Sequence, residues 1–153
     1  MSEGRTPGFM ALALAEAERA GARGEIPVGA VVVEAGSGAV LASAGNRVEE
    51  LRDPTAHAEM LALRTAAERQ GAPRLTDCDL YVTLEPCPMC AAAISVARVR
   101  RLYFGAGDPK GGGVEHGPRI FSQPTCHHRP EVYSGIDEAR AGALLKRFFE
   151  ALR

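Results

Sequence analysis

The sequence predicts an α/β protein in which helices alternate with the strands of one sheet. Stretches with helical spacing of apolar residues, such as Phe9 to Arg23 and Asp137 to Leu152, alternate with short β-branched runs. The first such run, Ile26 to Val33, is apolar throughout, the mark of a strand buried on both faces. Finally, 46% of the 153 residues are hydrophobic, so one domain spanning residues 1–153 can bury a core without disulfide staples.

Taken in order, Phe9 to Arg23 reads as an amphipathic helix ending near Gly21 to Gly24. Gly36-Ser37-Gly38 then turns the Ile26–Val33 strand into a second, Ala39 to Ala44, as a hairpin. Asp53-Pro54-Thr55 reads as a helix start, with Asp53 or Thr55 as the cap, and the helix runs to about Gln70. His57 and Glu59 fall in its first turn. After a polar break, Asp79 to Leu84 reads as a strand, and Pro88 starts a helix that carries Ala91 to Val96. Arg101 to Phe104 is a further short strand, followed by a glycine-rich loop from Gly105 to Gly117 of a length usually reserved for function. Glu131 to Tyr133 is an edge strand, and Asp137 to Leu152 a closing helix. The pairing expected is a hairpin in the first half of the sheet and parallel strands in the second.

The formal net charge of −1 conceals an asymmetry, with 8 Lys and Arg against 13 Asp and Glu up to Glu85, and 10 against 6 after it. The basic excess therefore follows the last acidic residue before Cys87. The N-terminus has no basic-then-apolar leader pattern and no apolar run approaches the roughly 20 residues needed to span a bilayer, so a soluble, cytoplasmic protein with no membrane partner is expected. Four cysteines are too few for a disulfide framework. Cys78 reads as a small buried hydrophobe beside its strand, while Cys126, next to His127 and His128, stays open.

The chemistry lies in two helix starts. A catalytic zinc takes three protein ligands and leaves one position open, and His57, Cys87 and Cys90 supply that set. The Cys-x-x-Cys spacing lets both sulfurs face one point across a helix's first turn, where the helix dipole favours thiolates. Glu59, two residues beyond His57, is placed to move a proton at the open position. A redox pair would explain neither His57 nor Glu59, and a structural zinc would need a fourth ligand from His116, Cys126, His127 or His128. His-x-Glu followed by Pro-Cys-x-x-Cys is the signature of zinc deaminases.

Thr55-Ala56-His57-Ala58-Glu59, followed by Tyr81-Val82-Thr83-Leu84-Glu85-Pro86-Cys87-Pro88-Met89-Cys90-Ala91, resembles the cytidine deaminase superfamily. Pro27 to Ala30, Gly45-Asn46-Arg47, Phe104 to Ala106, Asp108-Pro109-Lys110 and Phe148-Phe149 extend the likeness to its bacterial tRNA-specific adenosine deaminases. The resemblance implies a three-layer α/β/α sandwich with a five-stranded mixed sheet, cytidine deaminase-like. It implies a homodimer with one Zn2+ per subunit that converts the wobble adenosine of a tRNA anticodon to inosine, a zinc-activated hydroxide attacking while Glu59 shuttles protons. On the same footing His57, Cys87 and Cys90 bind zinc, Asn46 and the Ala58 amide hold the flipped base, Val28 lines the pocket, and the Asp108 loop meets neighbouring nucleotides. Glu85 is expected to fix the turn before Cys87 through backbone amides rather than to take part in catalysis.

Lys110, Arg129, Lys146 and Arg147 are candidates for the rim of an RNA groove, Arg98, Arg100 and Arg101 precede a strand, and Phe149 is a candidate RNA contact, with at least one of Phe148 and Phe149 expected in the core. Two competing functions remain open, a deaminase of a free nucleobase such as guanine or cytosine and a zinc-stabilised binding module without catalysis. The charge asymmetry and the Asp108-Pro109-Lys110 loop favour RNA over the first, and Glu59 argues against the second.

Overall fold

The computed structural model describes residues 6–152. Its elements are α1 (Thr6–Ala22), β1 (Gly29–Glu34), β2 (Val40–Gly45), α2 (Val48–Leu51), α3 (Ala58–Gln70), β3 (Cys78–Leu84), α4 (Pro88–Ala97), β4 (Arg101–Ala106), β5 (Glu131–Tyr133) and α5 (Glu138–Ala151), with a 3-10 turn at Ile120–Ser122. The sheet has five strands in the order β2-β1-β3-β4-β5. β1 pairs antiparallel with both β2 and β3, whereas β3–β4 and β4–β5 are parallel, so the hairpin-then-parallel expectation holds.

Strand alternation assigns the two faces. Ala30, Val32, Leu80, Val82, Leu102 and Phe104 bury themselves under α3 and α4, against Ala62, Ala66, Ala91 and Ile94. Val31, Val33 and Tyr81 pack on the opposite face against Met10, Ala13 and Leu14 of α1 and Ala141 of α5. The result is the three-layer α/β/α sandwich, with β1 buried on both faces as its composition requires. The helices that cover the sheet bury alanines such as Ala13, Ala17, Ala62, Ala66, Ala91 and Ala141, small enough to allow close approach to the strands. At Gly29 the approach is closest, since a Cβ there would stand 2.0 Å from the Ala13 carbonyl oxygen and 2.7 Å from the Ala17 nitrogen.

Three local features depart from expectation. β1 begins at Gly29 rather than Ile26, because the Val28 amide turns back to the Ile26 carbonyl at 2.8 Å. α3 begins at Ala58 rather than Asp53, because the Asp53 carboxylate accepts the Thr55 amide (2.9 Å) and hydroxyl (2.7 Å) and folds that segment into a turn. The helix cap is His57, in extended conformation, and the first free amide, Ala58 N, donates instead to Asn46 Oδ1 at 2.8 Å. The third feature, α2, has no signature in the sequence; its Glu49 and Glu50 amides donate to the buried Glu25 carboxylate, 24 and 25 residues earlier, at 3.1 and 2.9 Å. Among the described residues no helix is long and apolar enough to cross a membrane, and no buried side-chain N or O atom lacks a hydrogen-bond partner.

Candidate active site

The N-termini of α3 and α4 meet beyond the C-terminal end of β3 and bring three ligand atoms together. His57 Nδ1 lies 3.6 Å from Cys87 Sγ and 3.4 Å from Cys90 Sγ, and the three atoms all lie within 4.8 Å of one another. Tetrahedral zinc, with bonds of about 2.3 Å to sulfur and about 2.05 Å to nitrogen, holds S and N roughly 3.5 Å apart. The donor set and its spacing therefore fit that ion. Cys87 caps α4 with Pro88 at its first position, as the sequence requires, and Cys90 follows one turn later, fully buried.

None of the proposed fourth ligands joins the cluster among the described residues. His116 Nδ1 is bonded to Glu85 Oε1 at 2.6 Å. Cys126 Sγ sits 3.4 Å from Ser95 Oγ, and His128 Nε2 sits 2.7 Å from the Val99 carbonyl, both behind α4. His127 is exposed beside a shallow hollow next to them. Among the described residues no fourth ligand closes the site.

The cluster is strongly polarised. The Cys90 thiol donating to Cys87, aided by His57, holds the Cys87 thiol down at about 4 in spite of burial. Its neighbour's negative sulfur, together with burial, pushes Cys90 far up, and the bond to Cys87 raises His57. Glu59 is 4% exposed, and burial drives its carboxyl up to about 7, with the nearby Cys87 charge acting in the same direction. Such a group gains or loses a proton near neutral pH, which a proton shuttle requires.

Above the cluster opens a cavity of about 610 Å³, lined by Val28, Asn46, His57, Glu59, Cys87 and Asp108 among others. Ile26, Val48, Leu84, Phe148, Phe149 and Leu152 give its lining an apolar side, of which Ile26, Phe149 and Leu152 are exposed at the surface. Ala58 is fully buried and does not line the cavity; its amide donates to Oδ1 of the cavity-lining Asn46, whose Nδ2 donates to the Ile26 carbonyl at 3.1 Å. Phe148 and Phe149 both line the mouth, 5.4 Å apart edge to face, so neither is a core residue. The core contacts of α5 come from Ala141, Leu144 and Leu145, and its last turn overhangs the cavity.

Basic residues divide by place. Lys110 is exposed next to the Gly111 rim of the cavity, and Lys146 and Arg147 are exposed on α5. Arg129 does not line the cavity; its guanidinium donates to the Phe121 and Gln123 carbonyls. Arg100 forms a bidentate pair with Asp79 at 2.9 and 2.8 Å, and Arg101 pairs with Glu131 at 3.1 Å, all at the opposite end of the strands from the cluster.

Glu85 is completely buried, and although burial raises its pKa, backbone amides and His116 outweigh that and hold it ionised. Its amide partners belong to the loop after β4 rather than to the turn before Cys87. Sequence reasoning missed this span, and also missed Glu25 and Leu152. The only available signals were a carboxylate placed beside each segment and an apolar residue late in α5.

Residues 5–106 match the family described as the cytidine and deoxycytidylate deaminase zinc-binding region. The chain is 60% identical over 145 residues to a tRNA-specific adenosine deaminase of Agrobacterium fabrum, covering 95% of this chain and 94% of that protein. A solved structure from a study of A-to-I editing by tRNA:A34 deaminases superposes with a TM-score of 0.88 at 61% identity, covering 90% of this chain and 99% of the other. A guanine deaminase from Nitrosomonas europaea superposes with a TM-score of 0.80 at 26% identity, covering 93% and 83%.

Proposed function

Because the chain belongs to the cytidine and deoxycytidylate deaminase zinc-binding family, we propose that it hydrolyses the wobble adenosine of a tRNA anticodon to inosine at the site between α3 and α4. The observation that carries the substrate is the 60% identity to a tRNA-specific adenosine deaminase over nearly the whole of both chains. His57, Cys87 and Cys90 would hold one zinc ion per chain. When bound, the ion lowers the pKa of a water to about 7 and so supplies the nucleophile at neutral pH.

The protein's own groups do the rest. One Glu59 carboxylate oxygen takes a proton from the attacking water and passes it to N1 of the base, then carries the new C6 hydroxyl's proton to the departing amino nitrogen, so that water and adenosine give inosine and ammonia. Its burial keeps bulk water from competing for that proton. Asn46 keeps one N–H and one lone pair free after bonding Ile26 and Ala58, and offers them to the flipped base. Ala58 acts through Asn46 by fixing its orientation. Val28 forms the apolar wall, while Asp108 and Phe149 line the cavity and Lys110 is exposed beside its Gly111 rim, where flanking nucleotides of an extruded base would lie. Arg129 acts at one remove, by holding the Phe121–Gln123 segment.

The chain works as a homodimer on this reading, with Val96, 70% exposed on α4, and the neighbouring exposed Ala92 forming an apolar face for a second copy. Sedimentation at micromolar concentration should give twice the chain mass, and loss of that species on Val96→Glu would place the interface there.

The similarity to a guanine deaminase keeps a free base as the competing substrate. The test is incubation with an anticodon stem-loop carrying a wobble adenosine, and separately with free adenosine, adenine, guanine and cytosine, scoring inosine or ammonia. Inosine in the stem-loop alone is the expected result, and ammonia from free bases alone would overturn it.

A further inference from the structure

The loop between β4 and the 3-10 turn is wrapped around a single buried side chain. Glu85 Oε1 accepts the Asp108 amide at 2.9 Å and His116 Nδ1 at 2.6 Å. Glu85 Oε2 accepts the amides of Val114 (3.1 Å), Glu115 (2.8 Å) and His116 (3.0 Å). The loop closes on this carboxylate so tightly that a Cβ at Gly112 would stand 2.5 Å from Glu85 Cδ and Oε2. Two further bonds set its outer rim, as Asp108 Oδ1 accepts the Lys110 and Gly111 amides at 3.2 and 3.0 Å. One more ties it to the cluster, from the Gly113 amide to the Pro86 carbonyl at 2.8 Å.

We propose that Glu85 is a positioning residue for the proposed reaction, fixing residues 107–117 so that Asp108 and Gly111 stand at the cavity mouth ready to receive the nucleotides beside the target base. This rests on the RNA substrate argued above. The chemistry of the acceptor supports it, because five donors converge on the group and only an ionised carboxylate offers acceptors alone on both atoms. Whichever way a Gln at this position were turned, its NH₂ would face two or three donors. The loop would then open, although the four groups around the metal would stay where they are.

The expected signature is a split between binding and turnover. In Glu85→Gln the KM for the stem-loop should rise about tenfold or more, as buried donors lose their partner, while kcat and zinc stoichiometry stay near wild type. His116→Ala, which removes one of the five bonds at a side chain 37% exposed, is the variant expected to fold regardless. It should raise KM less, and His116→Asn, which keeps a donor, should restore part of the loss. A residue serving stability alone would lower the melting temperature without this split or this rescue.

A second readout needs no substrate. Lys110 is exposed in the loop, so trypsin should cut the Lys110–Gly111 peptide faster in both Glu85→Gln and His116→Ala than in the wild type. Unchanged cutting together with unchanged KM in both variants would overturn the proposal, as would loss of zinc with an equal fall in kcat in His116→Ala. If the wild type fails to deaminate the stem-loop, the substrate assignment falls, and the trypsin comparison alone still decides whether Glu85 holds the loop.

Discussion

Asn46 concentrates several functions in one side chain. Its amide joins β1's approach, through the Ile26 carbonyl, to the start of α3, through the Ala58 amide, and faces the cavity between them. Replacing it with alanine should leave the Ala58 amide buried without a partner, at a cost of about 1–3 kcal/mol, and should cut kcat/KM as well. Thermal denaturation and steady-state kinetics on one preparation measure both. The thiols make a second residue-level prediction. Cys78 is 1% exposed and pushed up to about 11 by burial and by Glu34, Asp77 and Asp79, so iodoacetamide at neutral pH should spare it. Stripping the metal with a chelator should add alkylation at the half-buried Cys87, read by mass spectrometry, without any at Cys78. The clustering of His57, Cys87 and Cys90 was legible in the sequence because the candidate residues sit in short local spacings. Asn46 with Ala58, and Glu85 with His116, were not, because those bonds join residues 12 and 31 apart whose meeting depends on the folded sheet.

At the scale of elements, the close approach of α1 to β1 governs stability. Gly29→Ala would force its Cβ into the Ala13 carbonyl, and the expected loss is about 3 kcal/mol or more, since backbone cannot move aside as a side chain can. Urea unfolding should show a lower midpoint with little change in slope. Periodicity located every long helix and all five strands, because burial on one or both sheet faces writes itself into apolar spacing. The Asp53-Pro54-Thr55 cap signal misplaced the start of α3, where Asp53 satisfies Thr55 rather than a helix, and periodicity could not find α2, whose four residues are too few to carry a period. It also placed a core residue in the Phe148-Phe149 pair. The last turn of α5 passes the edge of the packed layer, and both rings serve the mouth of the cavity instead.

The whole molecule follows from sheet order. Antiparallel β2-β1-β3 followed by parallel β3-β4-β5 places the N-termini of α3 and α4 together at the end of β3, so two positive helix ends converge on one metal site. The basic excess of the second half does not become one patch, because Arg100 and Arg101 are spent on Asp79 and Glu131 far from the cavity. Of the other exposed basic residues in this half, Lys110 adjoins Gly111, and Lys146 and Arg147 precede Phe148 of the cavity lining. RNA binding should therefore weaken as salt rises with the shallow slope of a few phosphate contacts, and a titration of stem-loop affinity against salt concentration gives that number.

The proposed hydrolysis requires three metal ligands and one buried carboxylate, Glu59, acting together. Its most direct test is single-turnover inosine formation in a wobble-adenosine stem-loop by Glu59→Gln, with zinc content measured on the same sample. One zinc per chain with the rate reduced by at least about 10²-fold is expected. A fully zinc-loaded Glu59→Gln that forms inosine at the wild-type rate would contradict it.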